Sequence, residues 1–493
     1  MGKNTKWYLI IALSVITIVF FAGYVSAGMG NKFGGGNRTT ERPLVSDVQN
    51  SGVKLPMLLL LEDKNPEAGK AEFDLVVKYG QHEFKSGYKA DTLGYNGDYL
   101  GPIIKVTKGD EIRINVNNTL NEPTTVHWHG LEVIGEMDGG PRQVIMPDTM
   151  WKPHFTIDQP AATLWYHSHL MDKTGEQVYK GLAGLIYIED QISVNLDIPK
   201  EYGVNDIPLI VQDKRFTGSG DISYDLNMRD IMNGFYGDTV IINGSINPVL
   251  DVSNETIRLR LVNASNARTY EFVFSHDQEF FQIASDGGFL KESVELKTIS
   301  LSPAERAEIL LDLSDYLIGD TIVLKDGTND LMTINIVKET NISSSIPKSL
   351  LAFTDYNKKD AVRIRKFVMS GMGPMVTING KQMDMDVIDE MVKLEELEEW
   401  IISNESSGMG MGMGMMENPT PHPFHVHGAQ FQVIERNSNP PPLNERGWKD
   451  TVLVNHGEEV RILIKFRKEG LFMYHCHILE HEDSGMMGQF LVE

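Results

Sequence analysis

The chain of 493 residues sets 45 Lys and Arg against 68 Asp and Glu, a net charge of −23 at neutral pH. That balance excludes nucleic acid as a partner, because a phosphate backbone needs a basic surface, and it favours cations instead. Apolar residues at 41% and charged residues at 23% exclude disorder throughout, and a single cysteine excludes an intramolecular disulfide.

At the amino terminus, Lys3 and Lys6 precede a charge-free run from Trp7 to Asn31 whose centre, Leu9 to Ala22, is apolar. Residues 1–27 read as a signal peptide ending at the small-residue site Val25-Ser26-Ala27. The alternative is a membrane anchor, since a helix of ~20 residues spans a bilayer. Positive charge ahead of the segment leaves the body outside the cytoplasm in both cases, so a periplasmic, cell-surface or secreted location is expected. Residues 28–50, with Gly34-Gly35-Gly36, read as a flexible tether.

Beyond the tether the chain repeats itself three times. An Asn-Gly pair is followed by an alternating apolar strand that ends near Asn. The copies are Asn96-Gly97 with 111–117, Asn243-Gly244 with 256–262, and Asn379-Gly380 with 399–403. Period-2 alternation marks half-buried strands, and many short strands separated by turn signals mark sandwiches or barrels. The expected fold is all-β, with three β-sandwich domains at 51–195, 200–345 and 350–493.

Ten of the 14 histidines fall in four clusters: His127 and His129; His167 and His169; His422, His425 and His427; and His475, His477 and His481. The first two lie in the first repeat and the last two in the third. Side chains at i and i+2 of a strand share a face, so each His-x-His pair can present two imidazoles to one metal. Cys476, the only cysteine, sits between His475 and His477. A thiolate with two histidines and a weak methionine is the blue-copper donor set, and His422, His481 and Met486 can complete it. Strand alternation turns His475 and His477 away from Cys476, so these three residues reach two different metal sites. His127, His129, His167, His169, His425, His427, His475 and His477 remain, enough to hold three metals between the first and third domains. A zinc cluster is the competing reading, but zinc is redox-inert.

These motifs, HWHG (127–130), WYHSH (165–169), HPFHVHG (422–428) and HCHILEHEDSGMM (475–487), resemble those of the multicopper oxidases. That three-cupredoxin-domain family includes laccases, bilirubin oxidases and copper-efflux (cuprous) oxidases. GEMDGGP (135–141), QPAAT (159–163) and GLAGL (181–185) look most like the bacterial copper-efflux branch. The resemblance implies Greek-key cupredoxin-like domains and four copper ions. Type 1 copper would be held by His422, Cys476, His481 and Met486, and type 2 by His127 and His425. The type 3 pair would be held by His129, His167 and His477 and by His169, His427 and His475. It further implies that electrons taken from a reductant at type 1 reduce dioxygen to water at the other three coppers. Asp138 and Glu482 are the catalytic candidates for proton delivery, or else orient histidines; Asp483 is a weaker one.

The reductant is read from methionine, of which there are 24. The run from Gly408 to Met416 ends just before His422. Thioethers select Cu(I), so Met409, Met411 and Met413 are candidate ligands for a substrate copper; otherwise the run is a low-complexity linker. Asn418-Pro-Thr-Pro421 replaces the acidic and methionine residues of the copper-efflux pattern. A laccase-like oxidase of phenols or aromatic amines is therefore the rival to a cuprous oxidase, and a non-enzymatic copper-binding cupredoxin protein is the alternative of another class. Dioxygen and Cu(I) or a small aromatic reductant are the expected partners, and the expected state is a monomer.

Overall fold

The computed structural model describes Leu44 and residues 52–340, 346–405 and 420–493. The segment read as a signal peptide or anchor, nearly all of the tether, and the Gly-Met run with Met409, Met411 and Met413 lie outside the described residues. Among the described residues, no helix is long and apolar enough to cross a membrane.

Three β-sandwiches follow one another along the chain. In the first, a sheet built on Lys70–Lys85 and Glu111–Asn118 faces a three-stranded sheet of Ile103–Thr107, Ala183–Glu189 and Ala162–His167. Phe73, Leu75, Leu164 and Ile186 from the two sheets share one core. The second pairs a six-stranded with a five-stranded sheet around Leu209, Leu259, Ile309 and Ile334. In the third, the sheet containing Arg363–Ser370 and Leu397–Asn404 faces the sheet containing His422–Val426, Gly470–Cys476 and Met487–Val492.

The repeat has a physical cause. In each sandwich the first long strand runs parallel to the second strand after the Asn-Gly turn: Lys70–Lys85 with Glu111–Asn118, Asp206–Lys214 with Ile257–Asn263, and Arg363–Ser370 with Leu397–Asn404. The turn asparagine adopts positive φ in all three copies, at 57°, 50° and 54° for Asn96, Asn243 and Asn379, a conformation asparagine tolerates better than most residues. Its amide docks on the first strand in the same way each time. Oδ1 accepts from Val76, Ile210 and Val368 N–H at 2.6, 2.8 and 2.8 Å. Nδ2 donates to the carbonyls of Asp74, Pro208 and Lys366 at 2.8, 2.8 and 2.9 Å. A second, buried asparagine ends each parallel strand, and its Nδ2 donates to two carbonyls: Asn118 to Glu122 and Ile145, Asn263 to Arg268 and Leu301, and Asn404 to Thr420 and Val454.

Polar contacts join the sandwiches. Arg260 Nη1 donates to Thr163 Oγ1 at 2.7 Å, and Thr163 Oγ1 donates to Glu308 Oε1 at 2.6 Å. These buried groups tie the first sandwich to the second.

Candidate metal centre

Strand pairing assembles the histidines. His127 and His167 form an antiparallel bridge, with His127 N–H donating to His167 O at 2.8 Å and the reverse bond at 3.2 Å. In the third sandwich His425 lies opposite His475, and Phe424 opposite Cys476. Eight histidines, 127, 129, 167, 169, 425, 427, 475 and 477, thereby meet between the first and third sandwiches, none more than 1% exposed.

In six of these rings hydrogen bonds fix which nitrogen is free. Nδ1–H donates to Asp138 O from His127 at 2.9 Å, to Ser168 O from His167 at 2.8 Å, and to Asp450 O from His425 at 2.8 Å. His427 Nδ1 donates to Asp138 Oδ2 at 2.7 Å, and His475 Nδ1 to Cys476 O at 3.1 Å. Each of these rings is left with a lone pair at Nε2. Those lone pairs converge: His427 Nε2 is 3.1 Å and His169 Nε2 3.3 Å from His475 Nε2. His129 is reversed, with Nε2 at 3.0 Å from Asp450 Oδ1 and Nδ1 at 3.4 Å from His167 Nε2. His127 Nε2, His425 Nε2 and both nitrogens of His477 are buried without a partner.

Facing lone pairs and buried orphan nitrogens are costly unless a cation lies among them, so the donor set fits metal ions. Close groups are His169, His427 and His475; His127, His129 and His167; and His127, His425 and His427. His477 joins less tightly, its ring centroid 5.2 Å from that of His129 and 5.4 Å from that of His167. Burial pushes the imidazoles toward the neutral, ligating form: His427 down to about 4 and His477 down to about 3, with His129, His167, His169 and His425 well below the usual value.

A second site lies on the other side of the Gly470–Cys476 strand. Cys476 Sγ is 3.3 Å from His422 Nδ1 and 3.9 Å from His481 Nδ1. Met486 is fully buried in the same core cluster as Cys476, and its carbonyl accepts from Cys476 N–H at 3.0 Å. Burial pushes the thiol well up, so a cation is required to hold it as thiolate. His481 Nε2–H donates to Met232 O at 3.2 Å, on the helix Met228–Asn233 of the second sandwich.

Carboxylates flank the histidine cluster. Glu482 Oε1 lies 3.3 Å from His169 Nδ1, and Oε2 3.2 Å from His475 Nδ1. Asp138 lines a cavity of about 250 Å3 that also touches Glu136, Arg142 and Gln143, and its Oδ1 is buried without a partner. Burial alone would raise both acids, but the adjacent imidazoles hold them well below the usual range. Asp483 points elsewhere, accepting from Thr174 and Gly175 N–H at 3.0 and 2.9 Å. Asp450, fully buried against His129, escaped the sequence reading, because Trp448-Lys449-Asp450 carries no ligand spacing.

Two family models, each described as multicopper oxidase, match the chain, one over residues 76–193 and the other over 353–493. The multicopper oxidase mco of Staphylococcus haemolyticus is 43% identical over 432 residues, covering 87% of this chain and 90% of its own. Among solved structures, a laccase from Pediococcus acidilactici superposes with a TM-score of 0.86 at 37% identity, covering 92% of this chain and 96% of that one. A multicopper oxidase from Campylobacter jejuni, described as a metallo-oxidase, gives 0.78 at 30% identity, covering 92% and 98%.

Proposed function

The chain belongs to the multicopper oxidase family, and from that premise we propose that it oxidises Cu(I) and passes the electrons to dioxygen, reducing it to water. The family normally binds four coppers, which supply one-electron transfer at type 1 and dioxygen reduction at the other three. In this reading His422, Cys476, His481 and Met486 hold type 1 copper, and His127 and His425 hold type 2. His129, His167 and His477 hold one type 3 copper, and His169, His427 and His475 the other. The observation that carries the reading is the position of Cys476, whose sulfur joins one donor set while its sequence neighbours His475 and His477 join the other.

The chain's own groups move protons. Asp138 takes them from its cavity and relays them toward His127 and His427; Glu482 serves His169 and His475.

Cu(I) is favoured over an aromatic reductant by what covers His481. That ring is 1% exposed and His422 2%, and the outward nitrogen of His481 is engaged by Met232 O. Among the described residues, these contacts leave little imidazole surface open to a phenol. The helix that carries Met232 also bears Met228, and Gly373, two residues before Met375, lies against Met232; Met228 and Met375 are 66% and 69% exposed. Thr420, where the described chain resumes after the Gly-Met run, reaches Asn233 Oδ1 through its hydroxyl at 3.4 Å. In the proposal Met409, Met411 and Met413, outside the described residues, supply further thioethers for Cu(I). The rival reading, a laccase-like oxidase, is favoured by the likeness to the Pediococcus acidilactici laccase. The amino-terminal segment supports an extracytoplasmic location.

Oxygen uptake by copper-loaded protein, with Cu(I) or a methoxyphenol as reductant, separates the readings. Uptake that is fast on Cu(I) and slowed by deleting Met409 to Met416 is expected. Uptake on the phenol alone would establish the rival.

A further inference from the structure

The second sandwich supplies none of the ligand histidines, yet it reaches the cluster. Arg306, on its strand Arg306–Leu311, is 1% exposed and forks onto Asp450 of the third sandwich. Nη1 donates to Oδ1 and Nη2 to Oδ2, both at 2.6 Å. Gln430 Nε2 donates to Oδ2 at 2.8 Å and Thr451 Oγ1 to Oδ1 at 3.0 Å. Arg306 is itself held by the carbonyls of Asp286 at 2.8 Å and Ala304 at 3.2 Å. The remaining direction of Asp450 Oδ1 is taken by His129 Nε2, 3.0 Å away, in the first sandwich. Gly130 leaves room for this junction. A side chain there would lie 2.7 Å from Asp450 Oδ2 and 2.9 Å from Arg306 Nη2.

A carboxylate this fully committed to donors accepts a proton-bearing nitrogen from His129 and nothing else. His129 must therefore carry its proton on Nε2 and present Nδ1 to the cluster. His127, His167, His425, His427 and His475 do the opposite, each tied at Nδ1 and free at Nε2.

We propose that Arg306 and Asp450 are a positioning pair that sets the reversed tautomer of His129, so that the sandwich without ligand histidines governs loading of the type 3 copper pair. The proposal rests on the reading that His129 is a copper ligand. Second-sphere carboxylates of this kind are worth ~10–100-fold in metal affinity.

D450N tests it. An amide has one acceptor oxygen and no charge, so the donors of Arg306, Gln430, Thr451 and His129 can no longer all be accepted, and the hold on the Nε2 proton of His129 is weakened. Copper per chain, the near-ultraviolet absorption of the bridged pair and the blue type 1 absorption are read on the same sample. The expected result is a full type 1 signal, which reports an intact third sandwich, with the type 3 absorption lost and type 3 affinity down ~10–100-fold. R306K keeps the charge but not the fork, and is expected to give intermediate type 3 occupancy; it also serves if D450N fails to fold. Full copper and unchanged type 3 absorption in both folded variants, even with lowered thermal stability, would overturn the proposal. If the wild type shows type 1 absorption but never loads a type 3 pair, it is the ligand reading that fails.

Discussion

His475 and Cys476 are neighbours in sequence but belong to different sites: His475 Nε2 lies 3.1 Å from His427 Nε2, and Cys476 Sγ lies 3.3 Å from His422 Nδ1. One peptide unit thus separates the two donor sets. Replacing the sulfur should uncouple them. C476S is expected to lose the blue absorption and oxygen uptake while keeping the copper of the histidine cluster, as metal analysis and electron paramagnetic resonance would show. Loss of all copper would mean that the two sites are not independent.

Proton delivery is separable from electron entry. E482Q and D138N remove an acid without touching His422, Cys476 or His481. Each is expected to slow steady-state oxygen reduction by ~100-fold or more, within the range of general acid catalysis. Bleaching of the type 1 colour by anaerobic Cu(I) should be unchanged. Stopped-flow spectroscopy under both conditions checks this; slowed bleaching would assign these acids to electron entry instead.

The asparagine repeat predicts a stability ranking. Asn263 is fully buried, donates to two carbonyls and accepts from Ser265 N–H at 3.0 Å. N263A leaves these groups unpaired and should cost ~2–4 kcal/mol. Asn379, exposed at its turn, should cost only ~1 kcal/mol on N379A, since water replaces the lost partners. Denaturant melts of both variants give the comparison.

Lys214 predicts a pH effect. Its amine is fully buried, donates to Tyr179 O and lies 4.2 Å from the Tyr179 ring centroid. Burial pushes it down to about 7 from 10.5. Above about 7 the folded amine has lost its proton while the unfolded chain keeps one up to 10.5, so the unfolded state binds more protons and stability rises with pH across that window. The ceiling is roughly 5 kcal/mol. K214M should therefore melt above the wild type near pH ~6, and the gap should shrink toward pH ~10. A gap independent of pH would show that the amine stays charged in the fold.

The clustering of the candidate ligands was legible because it is written in local spacing. His-x-His on a strand and a cysteine between two histidines need only strand periodicity to be read. The Asn-Gly repeat was legible for the same reason, although the asparagine docks on a strand 11 to 35 residues away in sequence, which no local pattern marks. Asp450 and Arg306 were not legible. They act through a junction of three sandwiches, and nothing near either residue in sequence marks it. The cover that Met232 lays over His481 was hidden likewise, since a backbone carbonyl has no sequence signature.

The most direct test of the central claim is the ratio of reductant oxidised to dioxygen consumed by the fully copper-loaded protein, measured with hydrogen peroxide monitored alongside. Electrons gathered through Cys476 and delivered to one histidine cluster should reduce dioxygen completely, giving four one-electron equivalents per dioxygen and no peroxide. Two equivalents per dioxygen with peroxide accumulating would contradict the account.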